Sequence, residues 1–169
     1  MQRVLVIGSP GSGKSTLAAE LARRTGLPLI HLDQQHWRSG WTETPKDEWR
    51  RQVAELVAGE QWIIDGNYGG TLEQRLARAD TVIDLEFPAW LCVWRILRRV
   101  ASSRGRVRAD MAEGCPEHWN LEFLTYTALF PWRVRKRTDA KLARFSGQRI
   151  HLRSPADVRC FLASVDPRG

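Results

Sequence analysis

The run Gly8-Ser9-Pro10-Gly11-Ser12-Gly13-Lys14-Ser15 satisfies G-x-x-x-x-G-K-S/T at every position, and Thr16 follows it. These residue types suit a phosphate chain. Small residues let backbone N–H groups turn inward and form an anion nest. The Lys14 ammonium can reach the β- and γ-phosphates, and the Ser15 hydroxyl can ligate Mg²⁺. A helix opening near Lys14 directs its positive end at the same phosphates. Gly8 to Thr16 is therefore the expected ATP site, comprising Gly8, Ser9, Pro10, Gly11, Ser12, Gly13, Lys14, Ser15 and Thr16. ATP and Mg²⁺ are the expected cofactors.

Phosphoryl transfer also needs acids. In open α/β sheets, ligands sit beyond the C-terminal ends of the strands. Asp65 closes the apolar run WIID, and Gly66 follows it. An acid there can hold Mg²⁺ or its waters together with Ser15; the plainer alternative is a solvated turn. Asp33 closes the run LIHLD. It can bind an acceptor or take the proton of an attacking hydroxyl, or it can be a capping acid. Asp84, inside TVIDL, reads as structural.

Cations around a moving phosphoryl group, on a loop that excludes water, would complete such a site. Leu91, Trp94 and Leu97 mark one helical face, and Arg95, Arg98 and Arg99 follow i, i+3, i+4 on another. Arg104, Arg106 and Arg108 follow in a glycine-containing stretch and are the expected catalytic arginines beside Lys14 and Asp33. Arg133, Arg135 and Arg137 come on the next helix. Any one of these arginines can equally be a solvated surface residue. Trp37 and Trp41 sit just past Asp33 and can stack on a base, line an acceptor pocket or pack ordinarily. His31 reads as a packed strand histidine, and Cys115 as a plain thiol.

Elements must position these groups. Residues 3–7 (RVLVI), 28–32, 61–65, 81–85 and 149–152 read as short, mostly β-branched strands. Helices are expected over 14–25, 45–58, 71–79, 88–103 and 119–137, with a terminal helix starting at Ser154-Pro155-Ala156-Asp157. Thr44 is the expected cap of the second helix. Residues 34–44 and 104–117 read as loops. Strands alternating with helices predict an α/β fold, with a five-stranded parallel sheet covered by helices on both faces.

The chain has 169 residues, 43% hydrophobic and 27% charged, which suits one globular domain over 1–169 and argues against disorder. No apolar run approaches the ~20 residues of a membrane span. Three scattered cysteines predict neither a disulfide framework nor a zinc site, and a cytoplasmic location is expected. The net charge of +7 is uneven. Residues 1–90 carry ten Lys and Arg against twelve Asp and Glu, and residues 91–169 carry sixteen against seven. Such a field attracts phosphate-bearing partners of several kinds.

Three segments carry a family resemblance: GSPGSGKST, the run LIHLDQQHWRSGW with WIIDGNY after it, and RADMAEGCPE. With these the chain resembles the adenylate-kinase-like P-loop kinases. Within them it looks most like the bacterial DNA topology modulation proteins. The resemblance implies a nucleoside monophosphate kinase-like core, an acceptor-binding segment at about 33–60 and a small lid at about 104–118. Asp65-Gly66 resembles the Asp-Gly that follows the third strand in nucleoside monophosphate kinases. Those kinases continue Phe-Pro-Arg, whereas this chain has Asn67-Tyr68-Gly69. The arginine that would hold a monophosphate acceptor is thus absent at that spot.

The first reading is an ATP-dependent phosphotransferase acting on a small acceptor, such as a nucleotide or nucleoside, as a monomer or homodimer. In it Lys14 and the lid arginines stabilise the transition state, Ser15 and Asp65 serve Mg²⁺, and Asp33 serves the acceptor. The alternative is a nucleotide-dependent regulator that binds DNA through its basic C-terminal half.

Overall fold

The apolar run at the start of the chain becomes β1 (Arg3–Gly8), whose Val4, Leu5 and Val6 are fully buried. A strand buried on both faces belongs at the centre of a parallel sheet. The computed structural model describes residues 1–165 apart from Arg104, Arg106, Arg108 and Glu117. In it, β1 is flanked by β5 (Trp62–Asp65) and β6 (Thr81–Leu85). Outside them lie β2 (Leu29–His31) and β7 (Gln148–Leu152). The order is β2-β5-β1-β6-β7, and every pairing is parallel. The expected five-stranded sheet is present.

Alternate strand residues feed opposite layers. Leu5, Ile7, Trp62, Ile64 and Val82 pack with Trp49 and Val53 of α3 (Lys46–Leu56) and Leu72 of α4 (Leu72–Leu76). On the other face, Val4, Val6, Ile63 and Ile83 pack with Leu17, Ala18 and Leu21 of α1 (Lys14–Thr25). Leu162 of α8 (Pro155–Ser164) joins that second layer. The start of α8 matches expectation, since Ser154 and Asp157 form a reciprocal capping box.

Four local expectations are corrected. Strand β2 ends at His31, and Leu32–His36 turns at once into a short helix, α2. Leu32 is fully buried and rests against Gly66, so tertiary packing pulls it out of the strand. Residues 37–43 are not a plain loop but an antiparallel ribbon of β3 (Trp37–Arg38) and β4 (Thr42–Glu43). Thr44 does not cap α3; its N–H and hydroxyl both donate to the His36 carbonyl, at 2.9 and 2.7 Å, closing the ribbon onto α2. The expected helix over 119–137 is two helices, α6 (Leu121–Arg133) and α7 (Arg135–Leu142), parted at Val134. Pro131 lacks an N–H in the last turn of α6 and weakens it there.

Helix α5 (Ala89–Ser103) docks on a different stripe from the one expected. Cys92, Ile96 and Val100, spaced by four, are buried, while Trp94 is 51% exposed. Both stripes are apolar, and the phosphate loop selects between them. The Cys92 carbonyl lies 2.5 Å from where a side chain on Gly11 would begin. Among the described residues, no helix is long and apolar enough to cross a membrane.

Candidate active site

Gly8 ends β1 at a φ of 140°, a backbone region that L side chains rarely adopt. A Cβ there would stand 2.2 Å from the Leu85 carbonyl oxygen, so only glycine fits. The Ser9 N–H donates to that same carbonyl at 3.3 Å, and the Lys14 ammonium donates to the Ser9 carbonyl at 2.9 Å. The loop is thereby folded back on itself between β1 and β6. Gly13 precedes α1 in the left-handed region, and no side chain caps the helix. The first N–H groups of α1 are thus left to whatever anion lies before them.

The loop opens into a cavity of about 1250 Å³. Pro10, Gly11, Gly13, Lys14, Ser15 and Thr16 line it, whereas Gly8, Ser9 and Ser12 sit behind and shape the loop. Both proposed acids reach the same cavity. Asp65 is 5% exposed at the end of β5. Its Oδ2 accepts from His31 Nδ1 at 3.0 Å, and its Oδ1 is buried without a hydrogen-bond partner. His31 and Asp65 are register partners across β2 and β5. His31 is therefore paired with an acid and not a mere packing residue, and the hydrogen bond to Asp65 raises its pKa despite burial.

Asp33 lies in the first turn of α2, not at a strand end. Its Oδ1 accepts from the Tyr68 hydroxyl at 2.6 Å. Burial, with the negative charge of Asp33 beside it, raises the Tyr68 pKa well above the ordinary phenol value, so the phenol keeps its proton. Tyr68 itself has a positive φ of 32°. Arg75 makes this strained turn possible. Fully buried on α4, it donates to the carbonyls of Gly66 (2.9 Å), Asn67 and Tyr68 (3.0 Å). Burial pulls its pKa down to about 9, which leaves it charged at neutral pH. Asn67 grips the phosphate loop from the other side: its Oδ1 accepts from the Gly8 N–H at 3.0 Å, and its Nδ2 donates to the Gly8 carbonyl at 2.7 Å. One loop thus ties the Asp33 end of the cavity to the phosphate loop.

Sequence reasoning missed Arg75 and Asn67. Arg75 falls between Leu72 and Leu76 on the apolar stripe of α4, and that spacing is the signal that could have exposed it.

The arginines divide. Arg95 lines the cavity and donates to the Ser12 carbonyl at 3.0 Å, behind the phosphate loop. Arg99 lines the cavity one turn further on, while Arg98 is exposed over Trp94. Arg135 does not serve the cavity. It is paired with Asp84 at 2.8 Å and with Asp139 at 2.9 Å, which staples α7 to β6. Arg133 and Arg137 are exposed and line no part of the cavity. Arg104, Arg106 and Arg108 lie outside the described residues.

The described part of the expected lid rests on the ribbon. The Gly40 N–H donates to the Gly114 carbonyl at 3.1 Å, and the Cys115 thiol donates to the Arg38 carbonyl at 3.3 Å. Gln34 donates to the Ala109 carbonyl. A Cβ on Gly114 would meet Ser39 Oγ at 2.2 Å. Cys115 is accordingly buried in this contact.

Mg²⁺ fits the donor set. Ser15 offers a hydroxyl in the cavity, and Asp65 offers a buried carboxylate oxygen still lacking a partner. Among the described residues no three His, Cys, Asp or Glu side chains converge as a metal site. Mg²⁺ held by one carboxylate, a hydroxyl and substrate phosphates needs no such cluster.

A five-stranded parallel sheet with this loop at its central strand defines a P-loop protein of the small-kinase fold. Residues 4–104 match the AAA domain family, and the chain belongs to that family. The uncharacterized protein YqaC of Bacillus subtilis (strain 168) is 28% identical over 133 residues, 76% of this chain and 72% of that protein. Among solved structures, shikimate kinase from Bacteroides thetaiotaomicron superposes with a TM-score of 0.57 at 20% identity, covering 96% of this chain and 94% of that one. A gluconokinase from Sinorhizobium meliloti 1021 gives 0.58 at 16%, covering 98% and 93%. At these identities the likeness is one of fold.

Proposed function

We propose that the protein is an ATP-dependent phosphotransferase acting on a small hydroxyl-bearing acceptor. The observation that carries this reading is one cavity shared by the phosphate loop, Asp65 and Asp33. An ATP hydrolase or nucleotide switch needs only the first two.

The acceptor oxygen attacks the γ-phosphorus, the bond to the β–γ bridging oxygen breaks, and ADP leaves. The acceptor proton passes to Asp33. Tyr68 holds that carboxylate in place through its hydroxyl, and Arg75 holds Tyr68. Lys14 and the α1 N-terminus bring positive charge to the phosphate end, and Arg95 supports the loop from behind. Ser15 and Asp65 would hold Mg²⁺, which supplies charge neutralisation at the β- and γ-phosphates. Arg104, Arg106 and Arg108 belong to this reading as lid cations. The DNA-binding alternative rests on the basic C-terminal half, and Arg135 in that half is committed to Asp84.

The test is an acceptor screen with ATP·Mg²⁺ across nucleosides, nucleotides and small hydroxyl compounds, with Lys14→Ala as the control. Acceptor-dependent ADP release that disappears in Lys14→Ala supports the reading. ATP binding without transfer to any class, together with nanomolar, steeply salt-dependent DNA affinity, overturns it.

A further inference from the structure

Charges of both signs line the cavity, Lys14, Arg95 and Arg99 among the cations and Asp33, Asp65 and Glu122 among the acids. Charge therefore selects no acceptor. Rings do. One aromatic wall starts at Asp33, where the Tyr68 hydroxyl donates to the carboxylate and the His36 ring lies 4.7 Å from Tyr68. From His36 the rings continue edge to face through Trp37 (5.3 Å) and Trp41 (5.4 Å) to His118 (5.3 Å). All of them line the cavity. Burial lowers the His36 pKa, so it stands in this wall as a neutral ring.

A second wall continues from His118. Trp119 follows it in the chain, and Phe123 and Tyr126 of α6 stack on each other at 6.4 Å. These three rings line the same cavity, yet they are 37 to 49% exposed. Apolar surface left open to water inside a concave site marks a ligand groove. The volume of about 1250 Å³ also exceeds the ~300–1,000 Å³ of a pocket for one small molecule. A bound nucleotide triphosphate thus leaves room for a second molecule of substantial size.

Aromatic rings prefer other rings, edge to face or offset and stacked, over saturated groups of the same area. We infer that the acceptor carries a planar aromatic ring, which rests against the Trp37–Trp41 wall and Trp119 while its hydroxyl meets Asp33. This rests on the phosphotransferase reading and names its substrate class. Trp37, Trp41 and Trp119 are specificity-determining residues in it. A nucleoside and an aromatic ring bearing a hydroxymethyl group share this chemistry, and the experiment separates them.

One arm sets uridine and adenosine against ribose. The other sets pyridoxine and benzyl alcohol against cyclohexylmethanol. Each compound is titrated by calorimetry at neutral pH into the 169-residue protein saturated with a non-hydrolysable ATP analogue and Mg²⁺. In at least one arm an aromatic member should bind about tenfold or more tighter than the non-aromatic one, ~1.4 kcal/mol. The Trp41→Leu/Trp119→Ala protein should lose most of that preference while still binding the ATP analogue. Trp119→Ala alone, at an exposed position, should lose part of it, which keeps the test decisive where the double variant does not fold. The inference is overturned if no aromatic member outbinds its partner in either arm, or if the preference survives these substitutions. It is also overturned if aromatic members bind only to the nucleotide-free protein, which would give the wall to the donor base. Failure of the ATP analogue itself to bind would instead overturn the phosphotransferase reading, so the two failures are told apart.

Discussion

The donor and acceptor ends of the cavity are built in opposite ways. The donor end comes from one contiguous stretch, Gly8 to Thr16, and works chiefly through backbone N–H groups and a helix terminus. The end that the proposed function gives to the acceptor is assembled from α2, the β3–β4 ribbon, the turn at 66–68 and residues 109–111 and 118. It works through side chains. A triphosphate is the same in every such protein, so a backbone nest suffices. An acceptor is particular, and only side chains from separate segments can describe it. Between the two ends stands a single turn, in which Asn67 holds the phosphate loop and Tyr68 holds Asp33.

Breaking the donor end should have the largest effect. Lys14→Ala is expected to reduce phosphoryl transfer to background and weaken ATP binding, with an unchanged circular dichroism spectrum. Near-normal turnover in that folded variant would remove the donor end as defined here.

Breaking the acceptor end should act on rate at saturating ATP. Asp33→Asn is expected to lower kcat by ~10²–10⁴-fold, the range of a general base. Tyr68→Phe should cost less, about tenfold, since it removes one hydrogen bond to a charged group. Steady-state kinetics on both variants checks the ranking, and a Tyr68→Phe loss equal to that of Asp33→Asn would contradict it.

Breaking the link should appear in stability. Arg75→Met leaves one buried and two partly buried carbonyls without their donor and should destabilise the fold by ~2–4 kcal/mol, read by urea denaturation. Because both ends hang on this turn, affinities for ATP and for the acceptor should fall together. A change confined to one end would show that the ends are not coupled there.

The smallest effect lies far from both ends, at the N-terminal edge of β1. Burial pushes the Asp80 carboxyl up, but the Thr81 hydroxyl and the N–H groups of Arg3 and Gln2 outweigh it, so its pKa is lowered. A folded pKa below the unfolded value means that this stabilisation is full above about pH 4 and is lost as pH falls through the folded value. Asp80→Asn should therefore lower the Tm at pH 7 and converge with the parent protein at strongly acid pH. Activity per folded molecule should stay unchanged at neutral pH.

What the sequence determined by itself was the local part. The P-loop pattern, five strands, the α8 capping box and the α/β class all follow from contiguous residues, because backbone turns, strand propensity and capping act over a few positions. The place of Asp65 at the cavity was also legible, since the acid closes an apolar strand. Tertiary structure alone decided the rest. Leu32 left its strand because Gly66 gave it a buried seat. The stripe of α5 that docks was chosen by the close approach of Gly11 to Cys92. His31 met Asp65 through sheet register, Arg135 was taken by Asp84, and Arg75 was drawn inside by three carbonyls of the turn that precedes its helix. Apart from the Arg75 contact, each of these joins residues whose separation along the chain carries no information about their distance in space. A charged side chain reads the same in sequence whether it meets solvent, a partner acid or a ligand, and only its packed neighbours settle which.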